Sequence, residues 1–209
     1  MKKSILPTKN YEYEERSFLD EENFIRLKNY FDTHHSRMSM DNKQSFFFVM
    51  PDVNVSIASS EKETKVKYKG GQLGMGNGFE EVEFRINPES LGEAIHLFSS
   101  LLSVAPQESY QFRINYVLDN NIEIALKYTE MWGFHMEVER TYAASSELSA
   151  NIEKNAAKDE LMIFAKKLNF AYIDDKQMKK FKGQCERGKN RGLYSTIEFK
   201  HKYGSLFGQ

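Results

Sequence analysis

The chain has 209 residues, 40% of them hydrophobic and 28% charged, with 29 Lys+Arg against 30 Asp+Glu. This composition excludes a disordered chain, and the near-zero net charge removes any general electrostatic case for nucleic-acid binding. No run approaches the ~18 apolar residues of a membrane span, the first residues turn polar at Thr8-Lys9-Asn10 too early for a signal peptide, and the lone Cys185 excludes internal disulfides and a thiolate zinc site, so a cytoplasmic protein without a membrane partner is expected.

In chain order, residues 11–19 alternate apolar and polar side chains, predicting a strand whose polar face carries Glu12, Glu14 and Arg16. Helical spacing follows over 20–34 through Phe24, Leu27, Tyr30 and Phe31. Residues 45–50, with Phe46-Phe47-Phe48, predict a more evenly apolar strand. Alternation returns at 53–58, 65–69 and 80–86, the last two presenting Lys65, Lys67 and Lys69, then Glu81, Glu83 and Arg85. The glycines at 70, 71, 74, 76 and 78 predict a mobile loop. Asn87 is a natural N-cap with Pro88 at the first helical position, and Leu91, Ala94, Ile95, Phe98, Leu101 and Leu102 form an apolar stripe. Three more strands follow. Residues 110–118 present Gln111, Arg113 and Asn115, 122–128 present Glu123 and Lys127, and 134–142 present His135, Glu137 and Glu139. A helix over 146–169 carries Leu148, Ile152, Leu161, Phe164 and Leu168, and a shorter one runs over about 174–186. The sum is a single α+β domain over 1–209, with an antiparallel sheet or barrel over about 10–142 and a helical part over about 146–209.

Residues i and i+2 on one strand face lie roughly 7 Å apart, where like charges repel by roughly 2 kcal/mol at an effective dielectric near 20. Three carboxylate pairs and a lysine triplet therefore need open water or a highly charged ligand. A solvated sheet face satisfies the first condition. A sheet closed with its charged faces inward satisfies the second, since carboxylates are hard oxygen ligands for Mg²⁺ or Mn²⁺ and the cations are donors to phosphate oxygens. Spacing leaves both geometries open.

Glu12-Tyr13-Glu14-Glu15-Arg16 resembles the ExExK motif that opens the CYTH superfamily, the triphosphate tunnel metalloenzymes. Val66-Lys67-Tyr68-Lys69-Gly70-Gly71 is similar to the family's strand ending in a Lys-Gly turn. Glu80-Glu81-Val82-Glu83 before a helix, and Trp132-Gly133-Phe134-His135-Met136-Glu137-Val138-Glu139, match in the same order. The resemblance implies an eight-stranded antiparallel β tunnel with helices packed outside. It implies Glu12, Glu14, Glu137 and Glu139 as catalytic and metal-binding residues, with Glu81 and Glu83 as further metal candidates. Arg16, Lys65, Lys67, Lys69, Arg85, Arg113 and Lys127 would hold a triphosphate. The implied activity is Mg²⁺- or Mn²⁺-dependent hydrolysis of inorganic, thiamine or nucleoside triphosphate. A non-catalytic nucleotide- or polyphosphate-binding module and a class IV-type adenylate cyclase are the alternatives, and a homodimer stays open. The chain departs from the family pattern at Arg16, where Lys is usual, at Asn54 and Ser56, where arginines are usual, and at Glu123 and Lys127, where the signs are exchanged.

Other signals carry less. Gly183-Gln184-Cys185-Glu186-Arg187-Gly188-Lys189-Asn190 nearly matches a P-loop, but it follows a helix where a strand is required, and reads as a solvated turn. His34-His35 reads as a helix-end pair in solvent, Cys185 as an idle thiol and Trp132 as a strand-edge packing residue. His135 is either a structural histidine or a proton relay beside Glu137. Lys176, Lys179, Lys180 and Lys182 read as a solvated helix face, with RNA or a phosphate-rich partner as the alternative.

Overall fold

The alternating segments form one antiparallel sheet of nine strands: β1 (Lys9–Phe18), β2 (Arg37–Met40), β3 (Lys43–Val49), β4 (Val53–Ser60), β5 (Thr64–Gly70), β6 (Phe79–Ile86), β7 (Gln107–Val117), β8 (Ile122–Thr129) and β9 (Gly133–Ala144). The structure is a computed structural model and describes residues 9–50, 53–70, 79–119, 121–144, 146–185 and 189–209. The strand order is β2-β7-β3-β4-β5-β6-β1-β9-β8, and an additional β7–β8 ladder closes the sheet on itself. β2 and β3 pair with successive stretches of the same edge of β7, from Arg37↔Val117 to Met40↔Ile114 and from Lys43↔Gln111 to Phe47↔Gln107. They therefore occupy one position in the wall, and the eight predicted strands make an eight-position tunnel. Strand β2 was not predicted. It is an upstream extension of β3, interrupted at Asp41 and Asn42.

The helices are α1 (Glu21–Thr33), α2 (Leu91–Leu102), α3 (Glu147–Leu168), α4 (Asp175–Cys185) and α5 (Thr196–Tyr203). Asp20 caps α1 by accepting from the Asn23 N–H at 2.8 Å. Asn87 caps a short 3-10 turn over Pro88–Ser90 that leads into α2, so the predicted helix start is displaced by one turn. Helix α5, capped reciprocally by Ser195 and Glu198, is absent from the sequence reading. Among the described residues no helix is long and apolar enough to cross a membrane.

The apolar core lies outside the tunnel. Tyr13, Phe112, Ile114, Tyr116, Ile124, Leu126, Met136 and Val138 point outward from β1, β7, β8 and β9 and are buried beneath α1, α3 and α5. A second cluster of Phe48, Val55, Ile57 and Val66 lies beneath Ala94, Ile95 and Phe98 of α2. Because side chains alternate along a strand, burying these faces under helices turns the charged faces toward the tunnel axis. Three predicted core positions are exposed instead. Helix α3 docks through Ala157, Leu161, Ala165 and Leu168, from its midpoint onward, which leaves Leu148 and Ile152 in solvent at 73% and 59% exposure. In α2 the covered stripe runs through Leu91, Ala94, Ile95, Phe98 and Leu102. Leu101 falls off it, being rotated ~100° from Leu102, and is 69% exposed.

Phe199 of α5 anchors the β7-β8-β9 wall. Its ring stacks on Tyr128 with centroids 3.7 Å apart and lies 4.7 Å from Phe112 and 5.6 Å from Phe134. Phe199→Ala is expected to destabilise the fold by about 3–5 kcal/mol in urea denaturation; a loss below ~1 kcal/mol would show that α5 does not support this wall.

Candidate functional site

Register decides which charges meet, because directly paired residues share a face. Glu14 faces Glu139 and Arg16 faces Glu137 across β1 and β9. Glu139 also faces Glu123, and His135 faces Lys127. Lys127 in turn faces Arg113. On the opposite side Lys67 faces Glu83 and Lys69 faces Glu81, while Asn54, Ser56 and Ala58 of β4 face Lys69, Lys67 and Lys65. The side chains of Asn54, Lys69 and Glu81, the glycine-rich loop over 71–78 and residues 186–188 of the P-loop-like string lie outside the described residues.

A cavity of about 290 Å³ occupies the tunnel. Its lining includes five cations, Arg37, Lys43, Lys65, Lys67 and Arg113, and five carboxylates, Asp41, Glu63, Glu83, Glu123 and Glu139. Lys65 pairs with Glu63 at 2.6 Å and Glu83 at 2.8 Å, and Lys67 pairs with Glu83 at 2.9 Å. Burial opposes charge on both Lys65 and Glu83, yet these contacts hold the lysine above its usual range and the carboxyl below it. Arg85 is displaced from the cavity lining. Its side chain is 75% exposed and bonds Glu63 at 2.6 Å.

Glu12, Glu14 and Glu139 bring one carboxylate oxygen each within 4.8 Å of one another. Like charges at that separation repel by roughly 3 kcal/mol per pair at an effective dielectric near 20. Arg16 touches Glu14 and offsets part of this. Three convergent hard oxygens, one of them on the 3%-exposed Glu14, make a donor set that fits Mg²⁺ or Mn²⁺.

No family model matches the chain, and no curated protein matches it by sequence. Solved structures do. A conserved hypothetical protein from Pyrococcus furiosus is 20% identical with a TM-score of 0.59, covering 77% of this chain and 91% of that one. A putative adenylyl cyclase from Hippeastrum, described as having a dominant triphosphatase activity, is 14% identical with a TM-score of 0.54, covering 92% and 95%. A putative adenylate cyclase from Bacillus halodurans is 14% identical with a TM-score of 0.52, covering 80% and 94%. The chain shares the fold of these proteins, an antiparallel β tunnel with helices packed outside. At these identities the likeness defines the fold and nothing finer.

Within the tunnel Glu137 stands apart from the acidic trio. It accepts from Lys127 Nζ and, at 3.2 Å, from Arg16 Nε. Burial pushes its carboxyl up, but the charges of Lys127, Arg16 and Arg113 override this and hold it well below the usual range. Burial and Arg113 push Lys127 down, opposed chiefly by Glu137. Burial likewise disfavours charge on Arg16, but Glu14 and Glu137 hold it protonated. Neither Arg16 nor Lys127 lines the cavity. At 8% and 5% exposure they form one layer with the half-buried Glu137 and the 4%-exposed His135. Phe18, Trp132 and Phe181 pack beyond it, with centroids 4.6–5.8 Å apart. His135 donates from Nδ1 to Gly133 O at 2.9 Å, and burial together with Lys127 pushes its pKa down to about 3. It is a neutral structural donor and not a proton relay at neutral pH.

Sequence reasoning missed Arg37, Asp41 and Lys43, which line the cavity. The signal was available, since the alternation of 45–50 continues upstream through 43, 41, 39 and 37. The break between β2 and β3 concealed it. Of the remaining signals, Lys176, Lys179 and Lys180 are exposed on α4, and His34 and His35 close the end of α1 through contacts to Tyr30 O and Phe31 O at 2.8 Å.

Glu137→Gln leaves Arg16 and Lys127 without their shared partner and is expected to cost about 3–5 kcal/mol at pH 7. Because the folded-state pKa of Glu137 is depressed, its contribution is present above the ordinary carboxylate value of about 4.3 and is lost as pH falls through the folded value. Glu139→Gln relieves repulsion and is expected to leave stability unchanged or raised. Urea denaturation of both variants at pH 7 checks this, and equal losses would contradict the distinction between the two carboxylates.

Proposed function

We propose that the protein binds the triphosphate group of a small molecule in its tunnel, with Mg²⁺ or Mn²⁺ on Glu12, Glu14 and Glu139, and hydrolyses it. One observation carries this reading: the acidic trio shares a cavity, through Glu139, with Lys43, Lys67 and Arg113. The three cations are placed to take phosphate oxygens. The metal, when bound, neutralises phosphoryl charge and lowers the pKa of water. Arg16 secures the trio through Glu14 and ties it to the Glu137–Lys127 pair. A tunnel lined by charge suits a ligand whose terminal triphosphate enters first. Among the described residues the cavity lining has no aromatic ring on which a nucleobase could stack. Inorganic triphosphate, or a triphosphate whose organic part stays outside the mouth, fits best.

The non-catalytic reading draws on the cation-free face of β4, where Ser56 and Ala58 stand opposite Lys67 and Lys65. With cations and carboxylates equal in number along the lining, the tunnel is not a polyanion trap without a metal. Binding of tripolyphosphate is accordingly expected to require Mg²⁺ or Mn²⁺ and to vanish in EDTA by calorimetry. Phosphate release from tripolyphosphate is expected with either ion, falling at least about 100-fold in Glu12→Gln or Glu139→Gln. Saturable binding of a ligand that stays intact for hours would favour the non-catalytic module. Cyclic AMP formed from ATP with Mn²⁺ would favour the cyclase.

A further inference from the structure

Lys43 combines three properties no other cation of the tunnel shares. It lines the cavity although its side chain is only 15% exposed. Its one ion pair is with Asp41, at 3.1 Å. It also sits at the break between β2 and β3, which is fixed on several sides. The Asp41 N–H donates to Arg113 O at 3.0 Å, the Arg113 N–H donates to Asn42 Oδ1 at 3.1 Å, and Asn42 Nδ2 donates to Phe207 O at 2.8 Å. The break therefore locks Lys43 and Arg113 together, with the carboxy-terminal 3-10 turn (Gly204–Phe207) as the outer support.

The local charges do not balance. Lys65 and Lys67 are served by Glu63 and Glu83. Arg113 makes no ion pair among the described residues and bonds Asn115 through Nε. Asp41 is acted on by both enclosed cations, Lys43 and Arg113, which hold its carboxyl below the usual range against the opposing effect of burial. We propose that Lys43 and Arg113 together seat a phosphoryl group of the bound polyphosphate, so that Lys43 is a substrate-binding residue supplied by β3. The assignment rests on the triphosphate-binding reading above. An anion at this place supplies the charge the two cations lack, and charge-assisted hydrogen bonds from both fix its position.

The ionisation of Lys43 supports this placement. Burial and the Arg113 charge push its pKa down to about 8, with Asp41 opposing and Lys67 adding to the fall. Asp41 from its own strand segment, Arg113 from β7 and Lys67 from β5 act on it, and Arg37, Glu63, Lys65, Glu83, Glu123 and Glu139 line the same cavity. A bound anion favours the protonated lysine. Affinity should therefore fall as pH rises above about 8, whereas an arginine at this position keeps its charge throughout.

The test is calorimetry of tripolyphosphate with Mg²⁺ at pH 7 and pH 9 on wild type, Lys43→Gln and Lys43→Arg. Lys43→Gln is expected to weaken binding roughly 10- to 100-fold at pH 7, and Lys43→Arg to restore most of it. The affinity ratio between the two pH values is expected to be larger in wild type than in Lys43→Arg. The ligand's own ionisation affects both proteins alike and drops out of that comparison. Unchanged affinity in Lys43→Gln, or identical pH ratios in wild type and Lys43→Arg, overturns the assignment while wild-type binding stands. Wild type that fails to bind tripolyphosphate with either metal overturns the underlying reading as well. The comparison of wild type with Lys43→Arg keeps the test valid should Lys43→Gln fold poorly.

Discussion

Closure of the sheet through the β7–β8 ladder is the constraint on which the rest of the structure depends. Each strand carries one apolar and one charged face, and only the apolar face can be buried under helices at a gain, at about 25 cal/mol per Å². Once α1, α3 and α5 cover one side and α2 the other, the ring has no choice of interior. Carboxylates and cations that would be independent on an open sheet are forced into mutual range. The hydrophobic effect on the outside thus supplies the work that holds like charges together on the inside.

The two ends of the tunnel resolve that crowding differently. In the Arg16–Glu137–Lys127 layer every charge finds an opposite partner, and aromatic rings pack against it. Glu12, Glu14 and Glu139, and again Lys43 and Arg113, bring like charges close to one another. An ion-pair layer specifies structure, whereas groups of both signs lining one cavity leave room for a ligand, which is the ground of the proposed function. Fold alone does not separate these roles; the distribution of compensation along the axis does.

The β2–β3 break shows how a local departure from regularity can place a functional group. The alternation runs on through the break, with Arg37, Ser39, Asp41 and Lys43 all lining the cavity. What the interruption adds is that the Asn42 side chain serves two backbone partners, Arg113 N–H and Phe207 O, so that a wall strand, the tunnel interior and the carboxy-terminal turn are tied at one residue. The inner face of β4 carries no cation, and Lys43 of the neighbouring strand lines the cavity.

The sequence by itself determined eight of the nine described strands and which charged residues share a face on β1, β5 and β9, because a period of two is written directly in residue order. Whether those faces turn inward it left open, and a tunnel was suggested only by the resemblance carried in the order of those sets. It did not show that Glu137 separates from Glu139, that Arg16 and Lys127 retire into a buried layer, or that Lys43 enters the site. It misjudged Leu101, Leu148 and Ile152, whose spacing is helical but whose helices extend past what they cover. Those outcomes depend on the stagger between strands and on where each helix docks. Both are set by contacts between residues far apart in the chain, so only the closed tertiary structure decided which charges became neighbours.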